Sequence, residues 1–203
     1  MFSTSIHSDK PLTKGETMTG KAVEAKTPPT PEEKGVYLFM DEVNSESCRD
    51  LISFILTKSW ARPRPKQLQI IISSPGGDLN AAFAVIDVIK GCPFPIHTTG
   101  IGMVASAAFM IFIAGTKGHR TLTPNTSIMS HQFSWGSWGK EHELVAVGKE
   151  FELTTKRMIN HYKNCTGLTE KKIRQFLLPA TDVWLSAKES KKYGICDNIK
   201  DLK

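Results

Sequence analysis

From about residue 35 onward the chain alternates between two hydrophobic periods. Val36-Tyr37-Leu38-Phe39-Met40 is a short apolar run of strand length, and Glu46 to Ser59 carries Cys48, Leu51, Ile52 and Ile55 at helical spacing. A second strand is predicted over 67–72 and a helix over 78–90. In that helix Ala82, Val85, Ile86 and Ile89 fall at i, i+3, i+4 and i+7, and Gly91-Cys92-Pro93 stops it. A strand over 96–101 leads into a small-residue segment, Gly102 to Ala108, and a helix running to about Ala114. Short strands follow at 120–123 and 127–130, and His131 closes the second. A long helix over about 140–164 carries Leu144, Val147, Phe151, Met158, Tyr162 and Cys165 as a stripe, with Thr154 as its one weak position. A further helix starts near Thr169. Asp182-Val183-Trp184-Leu185 reads as a strand, Ser186-x-x-Glu189 as a capping box, and Ile195-Cys196-Asp197 as a last strand after Gly194. Strand–helix alternation of this kind predicts right-handed βαβ units, a mostly parallel sheet and the α/β class.

Residues 1–34 show no such period. They are polar, punctuated by Pro28, Pro29 and Pro31, and read as a mobile arm ahead of one domain over 35–203. With 40% hydrophobic residues that domain can bury a core. The net charge of +6 raises nucleic acid as a partner, but Arg62-Pro63-Arg64-Pro65-Lys66 and Lys171-Lys172-Ile173-Arg174 are short, far apart and not interleaved with aromatics. A solvated basic surface is the reading, with no nucleic-acid partner. Cys48, Cys92, Cys165 and Cys196 are scattered without C-x-x-C pairing, which suits reduced thiols in a cytosol-like compartment and predicts no metal or other cofactor. No apolar run reaches the 18 or so residues that span a bilayer, and no n-region with an h-region is read at the start. The expectation is a soluble, cytoplasmic protein without a membrane partner.

Candidate chemistry begins at Ser73-Ser74-Pro75-Gly76-Gly77-Asp78. This turn places flexible backbone N–H groups at a strand end, just before a helix. Further on stands Ser106, a hydroxyl among small neighbours. Donors plus a nucleophile suggest acyl transfer, although Ser-Pro-Gly-Gly turns are common and Ser106 lacks the G-x-S-x-G elbow. A serine hydrolase also needs a base and a carboxylate to orient it. Among the six histidines, His131 ends an apolar strand at a loop, where a base belongs and where structural or surface histidines also occur. His142 and His161 are placed on the polar side of the long helix. Asp182 serves equally as a turn or cap residue.

Taken together, these segments resemble the caseinolytic protease family, ClpP, over almost everything from Val36 to Lys203. Ser73-Ser74-Pro75-Gly76-Gly77 is similar to the family's Asn-Ser-Pro-Gly-Gly signature, and Gly102 to Ala108 to its nucleophile segment. Pro124-Asn125-x-x-Ile128-Met129-x-His131-Gln132 resembles its histidine segment. Asp182-x-Trp184-Leu185-Ser186-Ala187, followed by Tyr193-Gly194-Ile195-Cys196-Asp197, resembles its aspartate segment. The resemblance implies a ClpP/crotonase-like spiral of ββα units with a protruding helical handle at about 132–164. It implies Ser106 as nucleophile, His131 as base, Asp182 as its orienter, and the N–H groups of Gly77 and Ala107 as the oxyanion hole. It further implies a homo-oligomer of two stacked heptameric rings, a tetradecamer, alone or mixed with other ClpP subunits. Its substrates would be unfolded proteins or peptides, supplied by an AAA+ unfoldase. Three places depart from the family pattern: Phe133-Ser134-Trp135-Gly136 after the His-Gln pair, Pro179-Ala180-Thr181 before the aspartate, and the segment ahead of Val36. Against the leading function, a serine endopeptidase of a self-compartmentalised ring protease, stand three others. One is a silent regulatory ring subunit, one a specialised (for example viral) processing protease without an unfoldase, and one a crotonase-type acyl-CoA enzyme.

Overall fold

A computed structural model of the chain describes residues 28–202. In order, its elements are β1 (Val36–Phe39), α1 (Ser45–Trp60), β2 (Leu68–Ser74), α2 (Leu79–Gly91), β3 (Ile96–Ala105) and α3 (Ala107–Ile113). There follow β4 (Arg120–Leu122), β5 (Ser127–Ser130), α4 (Glu141–Thr166), α5 (Glu170–Phe176), β6 (Val183–Ser186), α6 (Ala187–Lys192) and β7 (Asn198–Ile199). Helix starts follow local chemistry: Asn44 accepts the Glu46 and Ser47 N–H groups at 2.9 Å each, Asp78 accepts the Ala81 N–H, and Ser186 and Glu189 close the expected capping box. Most of the arm read over 1–34 lies outside the described residues. Within its described end, the Lys34 N–H bonds the Thr30 carbonyl and the Val36 N–H bonds that of Pro31, a turn leading directly into β1.

Five strands pair in parallel in the order β1-β2-β3-β4-β7. β3 serves two partners. Its first part, Thr98 to Gly100, pairs with β4; its last part, Met103 to Ala105, pairs with β5. Between them the backbone turns at Gly102 (φ 59°), and the register against β2 slips between Ile72 and Ser74. β5 pairs antiparallel with β6. The core lies between this sheet and the helices: Ile70 and Ile72 from β2, Leu51 and Ile55 from α1, Val85 and Ile86 from α2, and all seven residues of α3 are buried.

Two sequence expectations need correction. The last strand forms at Asn198–Ile199, not over 195–197. Ile195 and Cys196 are buried side chains there, and Asp197 turns its carboxylate onto Arg120 through bonds of 2.9 and 2.7 Å. Arg120 is itself buried and also donates to the Cys165 carbonyl, so the pair fixes the approach to β7. The apolar stripe of α4 divides in two: Thr154, Met158 and Tyr162 are buried, whereas Leu144 and Phe151 remain 43% and 44% exposed. The first half of α4 therefore carries an apolar face that the described residues leave largely uncovered.

The second correction concerns His161, expected on a polar face and found buried. Its Nε2–H donates to the Met110 carbonyl at 2.8 Å, and its Nδ1 faces the Lys90 ammonium at 3.4 Å. Burial, aided by the nearby Lys90 charge and only partly opposed by the Met110 bond, lowers its pKa to about 4. Between pH 6.5 and 4 the unfolded chain binds this proton and the folded chain does not, so stability falls as pH drops through that window. The loss is about 3 kcal/mol by pH 4. His161→Gln, which keeps an N–H donor but does not titrate, should flatten this part of the stability–pH curve in denaturant titrations; an unchanged slope would assign it to other groups.

Candidate active site

The site grows out of the end of β3. Ser106 joins Ala105 to α3 with φ 54° and ψ −123°, and it is the one non-glycine residue with positive φ among those described. A strand that turns straight into a helix through one left-handed residue projects that side chain from the surface, which is the geometry of a nucleophile elbow. The usual elbow glycines are absent: Val104 and Ala108 flank Ser106 at two residues on either side. Room comes instead from the neighbouring turn, where Gly76 lies against the Ala105 carbonyl and the Ser106 Cβ. Ser106 does not cap its own helix; its hydroxyl is turned to His131 Nε2 at 2.7 Å.

Strand register brings the other two side chains together. β5 and β6 pair as Ser127 with Ser186, Ile128 with Leu185, Met129 with Trp184 and Ser130 with Val183. One step further along this antiparallel ladder sets His131 across from Asp182. Their Nδ1 and Oδ1 atoms stand 3.4 Å apart, with side chains 28% and 59% exposed. This contact is longer than a strong N–H···O bond and open to water, whereas the Ser106–His131 contact is short. With a proton on Nδ1 facing the carboxylate, Nε2 is free to accept the Ser106 proton.

Backbone donors complete the arrangement. The Gly77 N–H makes no hydrogen bond among the described residues, although its neighbours do: Val43 N–H to the Gly76 carbonyl at 2.8 Å, and Asp78 N–H to the Val43 carbonyl at 2.6 Å. This small bridge to Val43 leaves the Gly77 N–H unused among the described residues. Ala107 is the first residue of α3, so its N–H has no intrahelical acceptor. Gly77, Ser106 and His131 line one cleft of about 430 Å3, with Asp78, Leu79 and Asn80 from the start of α2 and Phe133, Ser134 and Trp135 on the far wall.

That far wall belongs to the loop that departs from the family pattern after the His-Gln pair; what holds it in place was not legible beforehand. Phe133, Trp135 and Phe151 form an aromatic cluster with centroid separations of 5.1 to 6.5 Å, which holds the start of the 132–139 loop against α4. The nearest sequence signal was the spacing of Phe and Trp in a loop otherwise built of Gly and Ser. Leu79 and Asn80 were also missed, although an Asp78 cap already places the first turn of α2 beside Gly77. Among the described residues no group of three or more His, Cys, Asp or Glu converges as metal ligands do. None of the described helices is long and apolar enough to cross a membrane.

An elbow serine bonded to a strand-end imidazole, with unused backbone donors beside it, is the class of site that serine hydrolases present. Comparison with known proteins narrows the class. The chain is similar to a solved structure of a ClpP1 mutant from Listeria monocytogenes, with a TM-score of 0.75 and 28% identity over 85% of this chain and 94% of that one. It is 35% identical over 159 residues to the ATP-dependent Clp protease proteolytic subunit 2 of Treponema denticola, covering 78% of each chain. To proteolytic subunit 1 of Corynebacterium jeikeium it is 32% identical, covering 78% of this chain and 82% of that one. The Clp protease family profile matches residues 32–203. The chain belongs to the Clp protease family, whose proteolytic subunits are serine peptidases, and its fold is the ClpP-like α/β fold.

Proposed function

We propose that this chain is a serine endopeptidase subunit of a self-compartmentalised ring protease, with Ser106 as nucleophile, His131 as general base and Asp182 as the group that orients it. The observation that carries this reading is the 2.7 Å contact between Ser106 Oγ and His131 Nε2 in a cleft that also holds the unused Gly77 donor. In the reaction, His131 Nε2 takes the Ser106 proton as Oγ attacks the peptide carbonyl. The oxyanion of the tetrahedral intermediate is held by the N–H groups of Gly77 and Ala107. The imidazolium, facing Asp182, then gives its proton to the leaving amine, and water releases the acyl group by the same route. The 132–139 loop borders the cleft and has no strand partner among the described residues. An extended substrate would bind there by strand addition, its backbone held firmly and its side chains selected loosely by Phe133 and Trp135.

The apolar first half of α4, with Trp138 98% exposed on the preceding loop, supports assembly through this region into stacked rings. A cytoplasmic ring fed with unfolded chains by a Clp-type ATPase, and a division into an N-terminal arm (1–34) and a protease domain (35–203), complete the proposal. The 3.4 Å separation of His131 and Asp182 favours a second reading, a subunit that stays silent until partner subunits tighten the pair.

The test is turnover of a panel of short fluorogenic peptides by the purified protein beside Ser106→Ala, with native mass measured on the same samples. Turnover by the wild type and its loss in the variant support the peptidase. An assembled ring without turnover supports the silent subunit.

A further inference from the structure

His131 is held from both sides in sequence. The preceding residue, Ser130, is fully buried, and its hydroxyl donates to the Leu177 carbonyl at 2.6 Å. The following residue, Gln132, donates its side-chain amide to the Leu178 carbonyl at 3.0 Å. Consecutive carbonyls of the segment leading to Asp182 thus anchor both neighbours of the imidazole. Because Ser130 has one hydroxyl proton and directs it to Leu177, its lone pair is left to accept from the Tyr162 hydroxyl, 3.1 Å away. Tyr162 comes from α4 and is buried. Its ring meets Phe109 of α3 edge-on at 5.4 Å, in the short helix that Ser106 begins. One side chain therefore touches the helix behind the nucleophile and the residue beside the base.

We propose that Tyr162 and Ser130 form a positioning brace that sets His131 relative to Ser106, coupling α4 to the geometry of the site. The inference rests on the proposed roles of Ser106 and His131. The physical reason is leverage: Ser130 is the last residue of β5 and His131 follows it directly. A hydroxyl bond lost at Ser130 frees that backbone to shift along β6, and the imidazole moves with it. Burial pushes the Tyr162 phenol well above its ordinary pKa, the Ser130 bond opposing this only in part, so the hydroxyl remains a donor at any pH where a peptidase works. Tyr162 and Ser130 touch no substrate; they act through His131.

Tyr162→Phe keeps the ring and removes only the hydroxyl. It is expected to lower kcat about tenfold, with KM within about twofold and native mass unchanged. The Cε1–H NMR signal of His131, assigned by its absence in His131→Gln, should shift or broaden. Ser130→Ala should act in the same direction, and the double variant should be no slower than Ser130→Ala alone, because both changes remove one linkage. Tyr162→Phe with wild-type kcat and an unmoved His131 signal would overturn the brace, as would a loss confined to melting temperature. The two readings separate cleanly. A His131 signal that moves in Tyr162→Phe while Ser106→Ala retains turnover keeps the brace and removes the proposed nucleophile. Loss of turnover in Ser106→Ala with no effect of Tyr162→Phe does the reverse.

Discussion

Ser106→Ala is expected to reduce peptide turnover by at least about a thousandfold, with a melting temperature and native mass close to those of the wild type. The two parts of this expectation have separate causes. The hydroxyl is the atom that would form the covalent bond. Ser134, the other serine lining the cleft, lies on the aromatic wall, and the structure records no bond from it to His131. Stability should change little because the Ser106 side chain caps nothing and has His131 as its recorded hydrogen-bond partner, on a part-buried surface. Losing one such bond costs about 1 kcal/mol or less. Initial rates at saturating peptide, with calorimetry on the same preparations, measure both. A variant that keeps wild-type turnover removes Ser106 from the chemistry.

Gly76→Ala should damage the protein more broadly. At φ 94°, a Cβ there would sit 2.6 Å from the Ala105 carbonyl oxygen, 2.7 Å from the Ser106 Cβ and 3.0 Å from the Ala107 nitrogen. All three atoms belong to the elbow, and none is the far end of a flexible side chain. Relief requires the Ser106 backbone or the 75–77 turn to move by most of an ångström, which is enough to cost about a hundredfold in rate. Overpacking and a left-handed alanine together should cost about 2–5 kcal/mol. Gly167→Ala is the internal control: its φ is 76°, yet nothing lies within 4 Å of the added Cβ. It should lose about 1 kcal/mol and no activity. Equal effects of the two substitutions would show that conformation, not the contact with the elbow, dominates at Gly76.

Asp182 shows how far the residues alone carried the site. Read by itself it was a turn or cap residue as readily as a catalytic one, and only the order of motifs resembling the Clp protease family gave it a role. The structure places it opposite His131 because β5 and β6 run antiparallel in one register, and that register is set by contacts between segments some fifty residues apart in sequence. His161 shows the opposite failure. Helical spacing put it on a polar face, but α4 is buried around much of its circumference toward its C-terminal end, where Met110 and Lys90 supply the partners that make a histidine tolerable there.

Within single elements the sequence was sufficient. Period and local chemistry located β1, α1, β2, α2, the Asp78 cap and the Ser186–Glu189 box, because each depends on residues a few positions apart. The family, too, was legible, since four ordered motifs survive without knowledge of their contacts. What required the tertiary structure was every relation between distant segments. These were the bend at Gly102 that hands β3 from β4 to β5, the fit of Gly76 against Ser106, and the split of α4 into a buried and an uncovered half. The bonds from Tyr162 and Ser130 behind His131 belong with them. Local pattern records which face of an element is buried; it holds no information on what that face meets, and the site is made of those meetings.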